Sequence, residues 1–304
     1  IQCMRHEIVE AFQTLAALQG RSVEVPYREK VANLYGQCCR FLGNAGQAAD
    51  SYRYAAQTAA APELAALEYS DYLFNLHYLS TSLPEQRAAA EGYDRLFSHE
   101  EGFLHAPRKA GQAKLRIGYI SPDLRHHVVL QFIEALFQVY DRERFMVYAY
   151  AANPEDGCSR QLAAAIDGWR NIDGISPQAA ARVIYEDKID ILVDLSGHTK
   201  GSCLPILAVH PAPVQVSGIG YFASTGLREV DYFLSDRYLA AGNAADGFTE
   251  KLLVLPHSHF CYTPFCAQSF EGEPACQRNG FITFGSFNNF SKVSDAVLQV
   301  WAEL

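Results

Sequence analysis

No apolar run in the sequence approaches the roughly 20 residues that a membrane-crossing helix needs, and no basic-then-apolar secretory leader opens it. Both absences predict a soluble, cytoplasmic chain with no membrane partner. Positive charge is in short supply: 25 Lys and Arg face 34 Asp and Glu, for a formal net charge of -9. That balance excludes a general binder of nucleic acid or anionic membrane, while leaving room for a local basic pocket that takes a phosphate. The 8 cysteines are Cys3, Cys38, Cys39, Cys158, Cys203, Cys261, Cys266 and Cys276. None forms a C-x-x-C pair or stands at zinc-ligand spacing from a histidine, so reduced, mostly buried thiols are expected and a disulfide framework is not.

At 304 residues and 49% hydrophobic, the chain can bury one or two sizeable cores, which suggests about two domains. Its most informative stretch is LRIGYISPDLRHH, residues 115–127. Leu115, Ile117, Tyr119 and Ile120 read as a short strand buried in a parallel sheet. The run stops at Ser121-Pro122-Asp123, and apolar residues resume at helical spacing from Val128 to Phe137. In an open α/β sheet the loop outside the carboxyl end of a strand is where ligands sit. Asp123, Arg125, His126 and His127 are therefore gathered at a candidate site. The loop has no G-x-G-x-x-G turn, which counts against a small-molecule NAD enzyme.

Upstream, residues 1–104 read as helical throughout. Apolar positions at Val31, Leu34, Tyr35, Cys38, Phe41 and Leu42, the turn Gly43-Asn44-Ala45-Gly46, then Ala48, Tyr52, Ala55 and Ala56 predict two amphipathic helices in the manner of one degenerate tetratricopeptide unit. Further helices are predicted over 61–79 and 84–97, with the aromatic stripe Tyr69, Tyr72, Leu73, Leu76 and Tyr78 as core. His99 and His105 read as solvated loop histidines, and 105–114 as a linker. Beyond it the pattern changes to strands alternating with helices: strands at 145–151, 169–172, 189–195, 214–218, 232–234 and 252–255, helices near 159–166 and 179–187. That alternation predicts βαβ units and one Rossmann-like domain over 115–265.

Two more strand ends carry chemistry. DILVDLSGHTKG places Ser196, Gly197, His198, Thr199, Lys200 and Gly201 after a strand and before a helix predicted at 203–209. Small residues let a ligand approach the backbone, and Lys200 adds a charge suited to phosphate. Gly218-Ile219-Gly220-Tyr221 follows the next strand, where the glycines read either as turn punctuation or as close contact with a sugar. His210 and His257, each beside a proline, read as structural. Residues 266–304 predict a connection, a strand at 279–284, a polar loop and an amphipathic helix from Val293 with Trp301, the opening of a further unit.

The motifs LRIGYISPDLRHH, DILVDLSGHTKG, HPAPVQVSGIGYFASTG, VDYFLSD, EKLLVLPHSHF and FGSFNNFSKVSDAVLQVWAEL stand in this order behind tetratricopeptide-like helices. Over about residues 69–304 the chain resembles the O-linked N-acetylglucosamine transferase family, including its bacterial members and the plant SPINDLY-type relatives. The resemblance implies a GT-B architecture of two Rossmann domains, of which the chain carries the helical region, the first domain and the beginning of the second. It implies an inverting transfer of a sugar, chiefly N-acetylglucosamine, from a nucleotide diphosphate donor such as UDP-N-acetylglucosamine to Ser or Thr hydroxyls of proteins. By the same match Asp123 and His127 stand where a base or a donor contact is expected, and Lys292, with Asn289 nearby, should hold the donor diphosphate. His198, Thr199, Lys200 and Gly220 should face sugar and acceptor. Lysine binds phosphate as a compact charge, so neither a metal nor another cofactor is expected.

The sequence departs from many relatives at Val128-Val129, in place of Pro-Thr, and at Phe222-Ala223, in place of Pro-Gly. Both departures bear on the sugar side of the cleft more than on the fold. The 304-residue chain alone is expected to bind nucleotide sugar weakly and to turn over little, because the second domain holds most of the nucleotide in the family. A different class of function, a non-catalytic scaffold of helical repeats and a degenerate Rossmann domain, is the alternative. Polar groups at three separate strand ends speak against it.

Overall fold

The structure, a computed structural model, describes residues 7–19, 24–98, 101–107, 114–264, 272–289 and 292–304. His99, Cys3, Cys266, most of the predicted linker and the predicted boundary at 265 lie outside these residues.

Five helices come first: α1 (Ile8–Gln19), α2 (Val25–Phe41), α3 (Ala45–Thr58), α4 (Pro62–Leu76) and α5 (Leu83–Asp94). Prolines mark the first turns of α2, α4 and α5, where the missing N–H has no partner to lose. Ser82 and Glu85 close a capping box on α5, with the Ser82 N–H donating to Glu85 Oε2 at 2.8 Å. The pair α2–α3 turns at Gly43, whose φ of 80° suits glycine. Their contact buries Tyr35, Cys38, Cys39, Ala48 and Tyr52, with Ala11 and Leu15 of α1 in the same cluster.

Seven parallel strands follow: β1 (Leu115–Ser121), β2 (Phe145–Ala151), β3 (Gly168–Asn171), β4 (Ile191–Asp194), β5 (Val214–Ser217), β6 (Tyr232–Asp236) and β7 (Lys251–Leu255). Interleaved are α6 (Glu134–Gln138), α7 (Gly157–Ala165), α8 (Pro177–Glu186) and α9 (Leu204–Leu207), with α10 (Ala275–Asn279) and α11 (Asp295–Glu303) after the sheet. The strand order is β3-β2-β1-β4-β5-β6-β7, so the chain reverses its direction of travel between β1 and β4. In register, Ile117 to Ile120 lie beside Ile191 to Asp194. Such a reversal opens a crevice at the carboxyl ends of the two central strands.

The helices are not a separate body. Ala66 and Leu73 of α4 and Tyr93 of α5 share one buried cluster with Ile120, Leu192, Leu204 and Leu207 from the sheet domain. On the opposite face Leu124, Leu130, Ile133, Phe137 and Leu162 pack on Val147, Ala149 and Ala151.

Two sequence expectations fail here. The helix predicted over 128–137 is broken into a 3₁₀ turn, Val128–Phe132, and the short α6, with Ile133 at φ -134° between them. Two β-branched residues open the segment, and the tighter turn lets Leu130, Ile133 and Phe137 all reach the core. The strand predicted at 279–284 is absent. α10 ends there instead, Gly280 at φ 76° closes it, and residues 282–287 join no strand ladder.

Candidate active site

The loop after β1 folds back on itself. The Asp123 N–H donates to Ser121 Oγ at 3.0 Å, which turns the nearly buried Asp123 carboxyl toward the two basic side chains that follow. Arg125 Nη2 lies 3.7 Å and His127 Nδ1 3.6 Å from its two oxygens. His127 also caps the 3₁₀ turn, its Nδ1 accepting from the Val129 N–H at 3.4 Å. With Nδ1 in that role the ring carries its proton on Nε2, and a second proton on Nδ1 would turn it toward Asp123. The neighbouring His126 N–H donates to Asp156 Oδ2 at 2.8 Å. This bond and that from the Ser159 N–H hold the Asp156 carboxyl down to about 2.

The loop after β4 is built around a carboxylate that sequence reasoning passed over. Asp194 is fully buried and accepts from the Ser196 N–H, the Ser196 hydroxyl, the Gly197 N–H and the Ser217 hydroxyl, at 2.6 to 3.0 Å. Burial raises its pKa, and those donors oppose the rise. His198, four residues on, is also buried and both ring nitrogens are engaged: Nδ1 with Ser70 Oγ of α4 and Nε2 with the Thr225 carbonyl, each at 2.9 Å. Burial drives its pKa down to about 3, so the ring is neutral. Thr225 is pinned in turn by Glu250, which accepts from its N–H at 2.7 Å. His198 thus ties the helical layer to two strand-end loops. Its ring is not on the cleft surface.

The third loop meets the second. Gly197, at φ 49°, packs on Tyr221, and a Cβ on Gly220 would collide with the Leu195 carbonyl, so both positions need glycine. Ile219 between them holds φ 72°, a strained value for a β-branched residue. Pro122 of the first loop lies against Gly201. The loops after β1, β4 and β5 are therefore contiguous, with Asp123, His127, Thr199 and Gly220 on them. The Thr199 hydroxyl donates to the Ser196 carbonyl at 2.8 Å, which keeps it with its own turn. Lys200 is exposed and acts electrostatically on Asp71 of α4, whose pKa burial pushes up to about 6 against the pull of Arg40 and Lys200. Asn289 and Lys292 are exposed ahead of α11, and the Lys292 N–H donates to the Asn289 carbonyl at 3.0 Å. Among the described residues no cluster of three His, Cys, Asp or Glu side chains could hold a metal ion. No helix among them is long and apolar enough to cross a membrane.

Ser70 and Glu250 were also missed. The one available signal was the polar residue Ser70 inside an aromatic helix stripe. Another carboxylate–imidazole contact, Asp236 with His259 Nδ1 at 2.7 Å, latches the loop after β7 to the end of β6.

A doubly wound parallel sheet with its ionisable loops at the switch point, under a helical layer, defines a Rossmann-like α/β domain. A match to the glycosyl transferase family 41 domain spans residues 85–264, more than half the chain, and the chain belongs to that family. It is 41% identical over 205 residues to a probable UDP-N-acetylglucosamine–peptide N-acetylglucosaminyltransferase SPINDLY of Solanum lycopersicum, covering 64% of this chain and 22% of that protein. It is 29% identical over 218 residues to the corresponding SEC protein of Arabidopsis thaliana, covering 68% and 22%. A Thermobaculum terrenum O-GlcNAc transferase mutant superposes with a TM-score of 0.72 at 26% identity, over 97% of this chain and 62% of that one. The chain thus spans about a fifth of the plant relatives and under two thirds of the solved structure.

Proposed function

We propose that the chain supplies the acceptor-side half of an inverting protein glycosyltransferase. The reaction moves N-acetylglucosamine from UDP-N-acetylglucosamine to a Ser or Thr hydroxyl of a polypeptide. The observation that carries this reading is the Asp123–His127 pair at the switch point between β1 and β4, a nearly buried carboxylate beside an imidazole that is open to solvent. Similarity to the plant and bacterial proteins supports the choice of donor and acceptor.

In such a transfer the acceptor oxygen forms a bond to the anomeric carbon from the face opposite the diphosphate. The bond from that carbon to the β-phosphate oxygen breaks, and its electron pair leaves with UDP. The hydroxyl proton passes to a base on the attacking side. His127 can take it on an imidazole nitrogen, and the Asp123 carboxylate 3.6 Å away would stabilise the imidazolium formed. Charge growing on the diphosphate is met by Lys292, with Asn289 beside it, and by Arg125. Gly220 and the turn at Thr199 allow the sugar to approach backbone, and His198 keeps those two turns in register without touching it. No metal or cofactor enters this scheme.

Calorimetric titration with UDP, UDP-N-acetylglucosamine, UDP-glucose, GDP-fucose and NAD tests the reading. Binding of UDP and its N-acetylglucosamine ester, with none of NAD, is expected. Indifference of the full-length protein to every nucleotide sugar would leave a helical scaffold in its place.

A further inference from the structure

Five aromatic rings meet where α4 ends beside the loop after β5, and none of them has a part in the chemistry above. Phe222 is 62% exposed, unusual for a phenylalanine held against other side chains. Its ring lies 4.8 Å from His77, 5.3 Å from Tyr221 and 6.5 Å from Phe74, and Phe74 lies 6.0 Å from Tyr78. The base of this group is rigid: Tyr221 is buried, and its hydroxyl meets His77 Nε2 at 2.8 Å. Burial drives the His77 pKa down to about 4, so the imidazole is neutral at pH 7 and the shelf bears no charge. A narrow recess between Leu76, His77, Gln86 and Ala223 opens beside it.

We propose that Phe222, backed by His77 and Phe74, forms a shelf on which an apolar side chain of the acceptor polypeptide rests, next to the hydroxyl that is modified. This rests on the reading of the chain as a protein glycosyltransferase. Three features select the occupant. Half of the shelf belongs to the helical layer and half to the loop that carries Gly220, so whatever lies on it reaches from the reaction centre onto the helices, as a polypeptide does. The Tyr221 hydroxyl and His77 Nε2 satisfy each other, which leaves ring faces and edges for contact and suits an aromatic, proline or branched aliphatic side chain. A sugar is discriminated through hydrogen bonds to its hydroxyls, and this patch is poor in groups to make them.

Fluorescence anisotropy with two peptides, identical except for Tyr or Gly beside the acceptor serine, tests the shelf without requiring turnover. With UDP present the Tyr peptide is expected to bind about 10-fold more tightly than the Gly peptide, on the order of the burial of one large side chain. Phe222→Ala should abolish most of that preference, and Phe222→Trp should keep it. Equal binding of both peptides by the unaltered protein, or a preference that survives Phe222→Ala, would overturn the proposal. So would a loss of UDP-N-acetylglucosamine affinity, with UDP affinity kept, in Phe222→Ala, since that outcome makes the ring part of the donor sugar pocket. UDP binding by the unaltered protein is read in the same experiment and reports separately on the glycosyltransferase reading.

Discussion

Two Asp–His pairs with the same four-residue spacing stand at the carboxyl ends of the two central strands, Asp123–His127 after β1 and Asp194–His198 from the last residue of β4. They lie on adjacent strands at one switch point, yet they have become different objects. Asp194 and His198 are each 2% exposed or less, and together they take six hydrogen bonds from or with the surrounding loops and α4. Asp123 is nearly buried too, but His127, 3.6 Å from it, is open to solvent over 37% of its side chain. A group whose partners are all satisfied internally holds a loop still. A group left short of partners can exchange a proton with a ligand. The same residue types at the same spacing thus divide into scaffold and chemistry by the exposure of the histidine and by how many donors the carboxylate accepts.

The comparison breaks most visibly at Asp194. Asp194→Ala leaves the Ser196 and Gly197 N–H groups and the Ser196 and Ser217 hydroxyls without their acceptor inside the protein. The expected loss of stability is about 3–5 kcal/mol, measured by urea unfolding. Asp123→Ala removes a nearly buried carboxylate whose charged neighbours stand at 3.6 and 3.7 Å, beyond hydrogen-bond distance, and should cost less, about 1–2 kcal/mol. Equal losses at the two positions would remove the distinction between a scaffolding pair and a reactive one. Next in size is Leu73→Ala, expected to cost about 2–5 kcal/mol because Leu73 joins α4 to the sheet core. A loss confined to the helices, with the sheet unfolding at its former midpoint, would show that the layer is a separable domain.

Much of this division could not be seen in the sequence. β2 and β5 were legible because their apolar runs are buried on both faces, and they fall where the pattern put them, within one residue. The switch point followed from the alternation of strands and helices only once the strand order was known. Where the sequence misled, the cause was tertiary. His198 looked like a ligand because it stands in a Gly-rich strand-end loop, but the partner that buries it, Ser70, is 128 residues away. Asp194 reads in the sequence only as one residue of the strand predicted at 189–195, and the hydroxyls and N–H groups it gathers come from the turn that follows and from Ser217. The run Asn279–Phe284 has strand composition, yet without a neighbouring ladder its backbone turns at Gly280 instead. Local pattern records what a segment can do, and long-range contacts select among the possibilities.

Acid and alkali should press on different regions. His198 and His77 have folded pKa values lowered to about 3 and about 4 by burial, below the roughly 6.5 of an unfolded histidine. Their stability is fully present above pH 6.5 and is lost as pH falls toward 4 and then 3, because the unfolded chain binds the extra protons. Glu68 on α4 has the opposite sign. It is 1% exposed, accepts from Asn33 Nδ2 of α2 at 2.7 Å, and burial raises its pKa to about 8. Its favourable contribution is whole below the unfolded carboxylate value and declines as pH rises through about 8. Glu68→Gln should therefore raise Tm more at pH 8.5 than at pH 5, and His198→Gln should flatten the acid limb alone. A pH profile unchanged by both substitutions would mean that neither burial is as complete as the packing indicates.

The smallest structural effect is expected where the functional effect is among the largest. His127 makes one 3.4 Å contact with the Val129 N–H and one 3.6 Å approach to Asp123, both near the surface. His127→Ala should therefore change unfolding free energy by about 0.5 kcal/mol or less, within the range of ordinary surface substitutions. Loss of a positioned base is a different matter and should lower transfer by the full-length protein by about 10² or more, with UDP affinity little changed. His127→Gln separates the two roles that the structure gives this ring. The amide can still accept from the Val129 N–H and cap the 3₁₀ turn, but it cannot take a proton at neutral pH. Transfer restored by glutamine would make His127 a cap and move the base to Asp123; transfer lost in both variants, at undiminished stability, would place the proton on the imidazole.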